Sequence, residues 1–290
     1  SEKIQNDLKL LTIPEMDARP PVKFLVPSLL PEKGVAVLAG QSGTMKSFCA
    51  ISVGLTAATG GVFFDDEIEQ TNCLFMLNEG QGGFARRCIA WQEYHHIQNT
   101  DAFKVIETTP NLMRSESLEP FIDLIESEKF NPGLIIIDTF SKATIGGEDN
   151  STKDMGMAMG NAYNIANHFN ALVILIDHMG KDTKRGVRGA YAKHAAADMV
   201  GHVSKIGDTV TIKTAKQKEA EDDLKFDFDI EHIVIDGESV PVLISRTGIN
   251  GFQRLTPQRE FILSTLDNAE NEEMKRDDLC SIFLNEYGEG

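Results

Sequence analysis

The sequence predicts an α/β fold: a mostly parallel sheet flanked by helices, extended by antiparallel strands and followed by a short C-terminal helical appendage. Three observations predict it. Apolar runs of strand length alternate with amphipathic segments of helix length between about residues 34 and 177, which calls for right-handed crossovers and a sheet covered on both faces. "GLIIIDT" (133–139) and "ALVILID" (171–177) are apolar throughout until their polar ends, as doubly buried strands are. After about residue 198 the apolar period becomes two, the pattern of antiparallel hairpins.

The remaining elements follow in order. "GVAVLAG" (34–40), "NCLFMLNE" (72–79) and "FKVIET" (103–108) are the other predicted core strands. Helical patterns cover 46–60, 83–96, 117–130 and 153–170. "MVGHVSKIGDTVTIKTAKQK", "LKFDFDIEHIVI" and "SVPVLISR" carry a Gly-Asp turn and extend the sheet. From Thr256 two amphipathic helices are joined by an acidic turn; they match the start of a winged-helix or similar small module, or a packing appendage. The expected division is an N-terminal extension at 1–20, an α/β core at 21–252 and the helical unit at 253–290.

The 290 residues are 41% hydrophobic and 25% charged, with no apolar run of the roughly 18–20 residues that span a bilayer. Cys49, Cys73, Cys88 and Cys280 show no CxxC spacing, which fits thiols acting as small core residues in a reducing compartment. The expected location is the cytoplasm, or the host cytoplasm if the protein is viral. A net charge of −16 argues against a surface that grips nucleic acid everywhere. Between Ile176 and Lys218, however, nine basic residues face four acidic ones, so this segment is +5 and the rest −21.

The run Gly40-Gln41-Ser42-Gly43-Thr44-Met45-Lys46-Ser47 lies between a predicted buried strand and a predicted helix, the context of a phosphate-binding loop. Backbone N–H groups there can cradle phosphates, Lys46 can reach the β- and γ-phosphates, and the Ser47 hydroxyl can hold Mg²⁺. Met45 stands where the usual pattern has glycine. The position is expected to enter the helix with negative φ, which a side chain tolerates. Other strand ends supply further parts. Asp138 ends "LIIID" as a magnesium-ordering carboxylate, or caps the next helix. Glu79 follows "LFMLN" and could polarise the attacking water, or be a solvated loop carboxylate. His178 follows "VILID", either as a γ-phosphate sensor or as an ordinary loop histidine. Polar groups at the carboxyl ends of several strands are what a ligand site in such a sheet requires.

These residues resemble a known family. "FLVPSLLPEKGVAVLAGQSGTMKSFCAISVGLTAATGG", "VFFDDEIEQTNCLFMLNEGQGGFARRC", "LIIIDTFS" and "LVILIDHMGKD" are similar to the RepA-type branch of RecA-like ATPases, hexameric plasmid and phage replicative helicases and their primase-helicase relatives. The likeness covers about residues 20–220. It implies a RecA-like fold, ATP and Mg²⁺ as cofactors, and single-stranded DNA and further copies of the chain as partners. It also implies nucleotide and metal roles for Lys46 and Ser47, a catalytic carboxylate at Glu79, a metal-holding Asp138 and a sensor at His178. "RGVRGAYAKHAAADM" is similar to the family's Arg-Gly segment, making Arg188 a candidate finger on a neighbour's nucleotide. "KTAKQK" resembles paired basic fingers and suggests the same trans role for Lys216 and Lys218, although Lys218 lacks the bidentate geometry of arginine. The segments 180–189 and 141–154 are expected to face a DNA channel, with Lys181, Lys184 and Arg185 on the strand's backbone.

The expected activity is an ATP-driven, ring-forming motor on single-stranded DNA. A RecA-like ATPase without helicase activity, such as a recombination mediator or a regulatory ATPase, is the main alternative. A non-hydrolysing nucleotide scaffold would follow if Met45 spoiled the loop.

Overall fold

Residues 10–98, 100–178 and 193–246 are described by a computed structural model. The predicted helices after Thr256 lie outside these residues. A short helix α1 (Ile13–Asp17) precedes β1 (Phe24–Val26) and β2 (Leu30–Pro31), which pair with each other. Then come β3 (Gly34–Gly40), α2 (Lys46–Thr59) and a small hairpin of β4 (Gly61–Phe63) and β5 (Asp66–Ile68). The core continues with β6 (Cys73–Leu77), α3 (Gln81–His95), β7 (Phe103–Ile106), α4 (Leu118–Ser127) and β8 (Leu134–Asp138). It is completed by α5 (Phe140–Ala143), α6 (Thr152–Phe169) and β9 (Leu172–His178). The last part is β10 (Met199–Ile206), β11 (Thr209–Gln217), β12 (Lys225–Ile235) and β13 (Glu238–Ser245).

Nine of these strands form one sheet in the order β13-β12-β11-β10-β3-β9-β8-β6-β7. The six from β10 to β7 are parallel, and β11, β12 and β13 extend the sheet in antiparallel fashion. This is the predicted RecA-like arrangement. Alternation along β8 explains why both faces are covered. Leu134 and Ile136 enter one apolar cluster with Phe75, Phe84 and Trp91, while Ile135 and Ile137 enter a second with Phe121, Met155 and Phe169. Helices α2 and α3 contribute to the first cluster, α4 and α6 to the second.

Local sequence sets the helix limits. At α6 the Ser151 hydroxyl accepts a hydrogen bond from the Asp154 N–H at 3.2 Å, capping the first turn. Met155, Ala158, Met159, Ala162, Ile165, Ala166 and Phe169 make a buried stripe at helical spacing, and Asn170 ends the helix in the left-handed conformation. The two terminal hairpins turn at Gly207-Asp208, where Gly207 has φ 57°, and at Asp236-Gly237, both with positive φ.

Several short elements were not predicted. Helix α1, the β1–β2 pair and the short α5 carry too few residues for a period to show. The β4–β5 hairpin turns through Phe64 and Asp65 at φ 49° and 71°, with no glycine to mark it. Its aromatic side chains hold it instead: Phe63 and Phe64 meet Phe226 and Phe228 of β12 edge to face.

Candidate nucleotide site

The parallel register brings four strand ends side by side in the order β3, β9, β8, β6. Gly40 lies opposite His178, Asp138 opposite Ile176, and Leu77 opposite Asp138. The Asn78 N–H donates to the Asp138 carbonyl at 2.8 Å, which sets Glu79 just past the end of β6. The phosphate loop, His178, Asp138 and Glu79 therefore share one edge of the sheet, which the sequence order of the motifs could not show.

Close approach dictates glycine at the loop's first position. A Cβ on Gly40 would lie 2.4 Å from the Val203 carbonyl oxygen and 2.9 Å from Thr44 Oγ1. The Thr44 hydroxyl donates to the Gln41 carbonyl at 2.9 Å, tightening the turn. Gln41, Ser42 and Gly43 are exposed. Lys46 is folded into the loop, 4% exposed, with Nζ donating to Gly40 O at 2.9 Å and Gln41 O at 2.8 Å. Burial pulls its pKa below the ordinary lysine value, against the opposing charges of Asp138, Asp177 and Glu79.

The expectation for Met45 is overturned. Its φ is 66° and its ψ 28°, in the left-handed region. The helix begins at Lys46, as predicted, but the Phe48 and Cys49 N–H groups both donate to the Met45 carbonyl at 3.0 Å, so Met45 is the cap and still belongs to the turn that follows Gly43 at φ 83°. A left-handed non-glycine residue costs about 1–2 kcal/mol. Glycine would remove that strain but lose about 0.5–1 kcal/mol of backbone entropy, together with the packing of a half-buried side chain against the core. Met45→Gly is therefore expected to change stability by less than about 1 kcal/mol and to leave nucleotide affinity equal or higher. Thermal unfolding and an ATP titration check this; a large loss of either would show that the packing of Met45 dominates.

Asp138 is 3% exposed, and its Oδ1 is buried without a hydrogen-bond partner. The Ser47 hydroxyl is close enough to the same carboxylate to favour its charged form. Burial pushes this carboxyl above its ordinary range, with Glu79 adding to the effect and Ser47, His178 and Lys46 opposing it. An orphaned, buried carboxylate oxygen beside a hydroxyl suits Mg²⁺, which takes one or two protein oxygens and fills its octahedron with phosphate oxygens and water. Ser47 and Asp138 are thus the residues that would hold the metal.

A carboxyl with a raised folded-state pKa favours the fold below its unfolded value and loses that stability as pH rises through the raised value. Holding the carboxylate's charge away from solvent is thus a cost to the nucleotide-free fold. Asp138→Asn is therefore expected to raise the melting temperature of the nucleotide-free protein at pH 7, by about 2–4 °C per kcal/mol recovered, and to abolish further stabilisation by magnesium-ATP. Calorimetry with and without the nucleotide measures both. An unchanged response to magnesium-ATP would remove Asp138 from the metal site.

Glu79 is exposed, and the buried Thr139 hydroxyl donates to its Oε1 at 3.4 Å while contacting Ser141 Oγ at 3.0 Å. His178 is exposed at the end of β9 and close enough for its charge to act on Asp138. Two residues that sequence reasoning assigned no site role also lie at this edge. Asp177, buried at the end of the apolar β9, is paired with the buried Lys193 at 2.6 Å. A charge inside an otherwise apolar strand was the available signal.

The predicted fingers differ in placement. Lys216 Nζ donates to the carbonyls of His194, Ala195 and Ala197 at 3.0, 2.7 and 2.7 Å, and Lys218 pairs with Asp198 at 2.7 Å. Lys213 pairs with Asp223. Much of the basic character read between 176 and 218 is thus used inside the fold. Lys181, Lys184, Arg185 and Arg188 lie outside the described residues.

The family described as "AAA domain" matches residues 6–184, well over half of the chain. The chain belongs to the AAA domain family. The solved ATPase domain of G40P is similar in fold to this AAA domain, with a TM-score of 0.52 and 11% identity, covering 78% of this chain and 93% of that one. No curated protein sequence matches the chain. Family, sheet and phosphate loop together make the chain a P-loop ATPase domain with a RecA-like fold. No helix among the described residues is long and apolar enough to cross a membrane.

Proposed function

We propose that the protein is an ATP-hydrolysing, ring-forming motor on single-stranded DNA, a replicative helicase of phage or plasmid type that works as a hexamer in the cytoplasm, or in the host cytoplasm if viral. The observation that carries the reading is the convergence of Lys46, Ser47, Asp138, Glu79 and His178 on adjacent strand ends. That arrangement supports ATP hydrolysis; the resemblance to RepA-type helicases extends it to DNA.

In this reading Lys46 exchanges its two loop carbonyls for phosphate oxygens. Ser47 and Asp138 would hold Mg²⁺, which when bound would supply neutralisation of the charge on the transferred phosphoryl group. Glu79, steadied by Thr139, polarises the attacking water, and His178 senses the γ-phosphate at the start of the segment that bears Lys181, Lys184 and Arg185. Of the three proposed trans fingers, Lys216 and Lys218 have partners within their own chain, which a trans role would have to displace; Arg188 lies outside the described residues.

ATP-dependent displacement of a strand from a forked duplex tests the reading. Robust turnover without displacement would favour the non-helicase ATPase. Alanine at Lys181, Lys184 and Arg185 together is expected to weaken oligo-dT binding and to lower the salt slope of log K by about 0.7 per phosphate contact removed, while turnover without DNA survives. Parental oligo-dT binding at every salt concentration would take these residues out of the DNA path.

A further inference from the structure

The Asp177–Lys193 pair has no place in the scheme above, yet it sits beside it. Asp177 lies on β9 immediately before His178 and opposite Ala39, the residue that precedes Gly40. Its Oδ2 is 2.6 Å from Lys193 Nζ, with side-chain exposures of 10% and 7%. The same ammonium stands 5.2 Å from the ring centroid of Phe140, which is 1% exposed and two residues beyond Asp138. One buried cation thus meets both the strand that ends in His178 and the first residue of α5, just past the strand of Asp138.

Lys193 is itself held firmly. Lys216 ties down the carbonyls of His194, Ala195 and Ala197. Tyr163 Oη lies 2.9 Å from Ala196 O and 2.8 Å from Asp198 Oδ2, and the Val35 N–H donates to that Asp198 oxygen at 2.9 Å. The backbone just after Lys193 is therefore anchored to α6, β3 and β11, giving the ion pair a fixed base.

As a device for stability alone, a buried ion pair is a poor choice, because desolvating both charges offsets much of their attraction. What it adds is direction: a carboxylate and an ammonium meet in few geometries, whereas apolar side chains meet in many. We propose that Lys193 is a positioning residue of the nucleotide site, its ion pair with Asp177 and its contact with Phe140 fixing the end of β9, and with it His178, against the strand that carries Asp138. This inference rests on the ATPase reading. It assigns Lys193 no contact with nucleotide or DNA, and it removes that residue from the basic track inferred from sequence.

The test uses the full chain with Lys193→Arg, Lys193→Met and the double variant Asp177→Asn/Lys193→Met. The single Met variant strands a buried carboxylate and is expected to melt early; the double variant removes both charges, and the Arg variant keeps the pair should the others fold poorly. Three quantities are measured: melting temperature, the affinity ratio between a non-hydrolysable ATP analogue and ADP, and kcat against KM. The double variant is expected to regain most of the parental melting temperature and to bind ADP as the parent does. Its preference for the triphosphate should fall about tenfold, and its kcat about ten- to a hundredfold with KM little changed, the scale of a small misplacement of reacting groups. Lys193→Arg should recover part of both. A double variant with parental triphosphate preference and kcat would overturn the proposal, as would activity that simply tracks melting temperature across the series. Because the affinity ratio needs no turnover, a parent that binds ATP without hydrolysing it would count against the ATPase reading while still testing the pair.

Discussion

Lys46→Ala is expected to lose nucleotide binding almost entirely while the fold survives. Lys46 already points into the loop, its ammonium bonded to the Gly40 and Gln41 carbonyls where phosphate oxygens would compete for it. Those two charge-assisted bonds are each worth about 1.5–3 kcal/mol when transferred to anionic oxygens, and their loss corresponds to roughly 10²–10⁴-fold in affinity. Removing the side chain also strips the site of a cation that faces Asp138, Asp177 and Glu79, so an incoming polyphosphate would meet unrelieved negative charge. Titration with a fluorescent ATP analogue, alongside a melting curve, measures the effect. Affinity within about twofold of the parent in a folded protein would mean that the loop does not bind phosphate.

Glu79→Gln has a comparable effect on a different quantity. The amide keeps the size of the side chain and an oxygen that can accept from Thr139, now donating at 3.4 Å, so binding and placement are retained. What disappears is the negative charge that draws a proton from water, a contribution of about 10²–10⁴ in rate. The expected result is parental affinity for magnesium-ATP with hydrolysis reduced by that factor, read by single-turnover quench. A variant that turns over normally would move the role to another group at the strand ends. Lys46→Ala and Glu79→Gln together separate binding from chemistry, since the first removes complex formation and the second leaves the complex unreacted.

The parts of this protein that were legible in its sequence are those governed by short-range pattern. Runs such as "LIIID" and "LVILI" announce strands buried on both faces, and the structure buries every residue of β8 and all but His178 of β9. Three of the four predicted helices begin and end within about two residues of the positions that periodicity gives, and α4 stops at Ser127, short of the predicted 130. Glycine-marked turns were found; the turn at Phe64 and Asp65 was not, because its positive φ values are sustained by aromatic packing against a strand more than 150 residues away. Met45 was misjudged for a related reason. Whether a residue is the last of a turn or the first of a helix is decided by which carbonyl accepts the first helical bonds, and residue identity does not carry that.

The sequence by itself determined the α/β class, the phosphate loop and the identity of the polar groups at the strand ends, since each depends on residues near one another in the chain. Only the tertiary structure decided the rest. Strand order, set by crossovers and not by sequence order, brought His178 between the loop and Asp138. Long-range contacts decided which lysines reach solvent: Lys193, Lys216 and Lys218 look alike in a list of charges, yet one is buried against Asp177, one holds three carbonyls and one is paired with Asp198. A side chain's charge is fixed by its chemistry, but the use of that charge depends on what the fold places within about 3 Å of it.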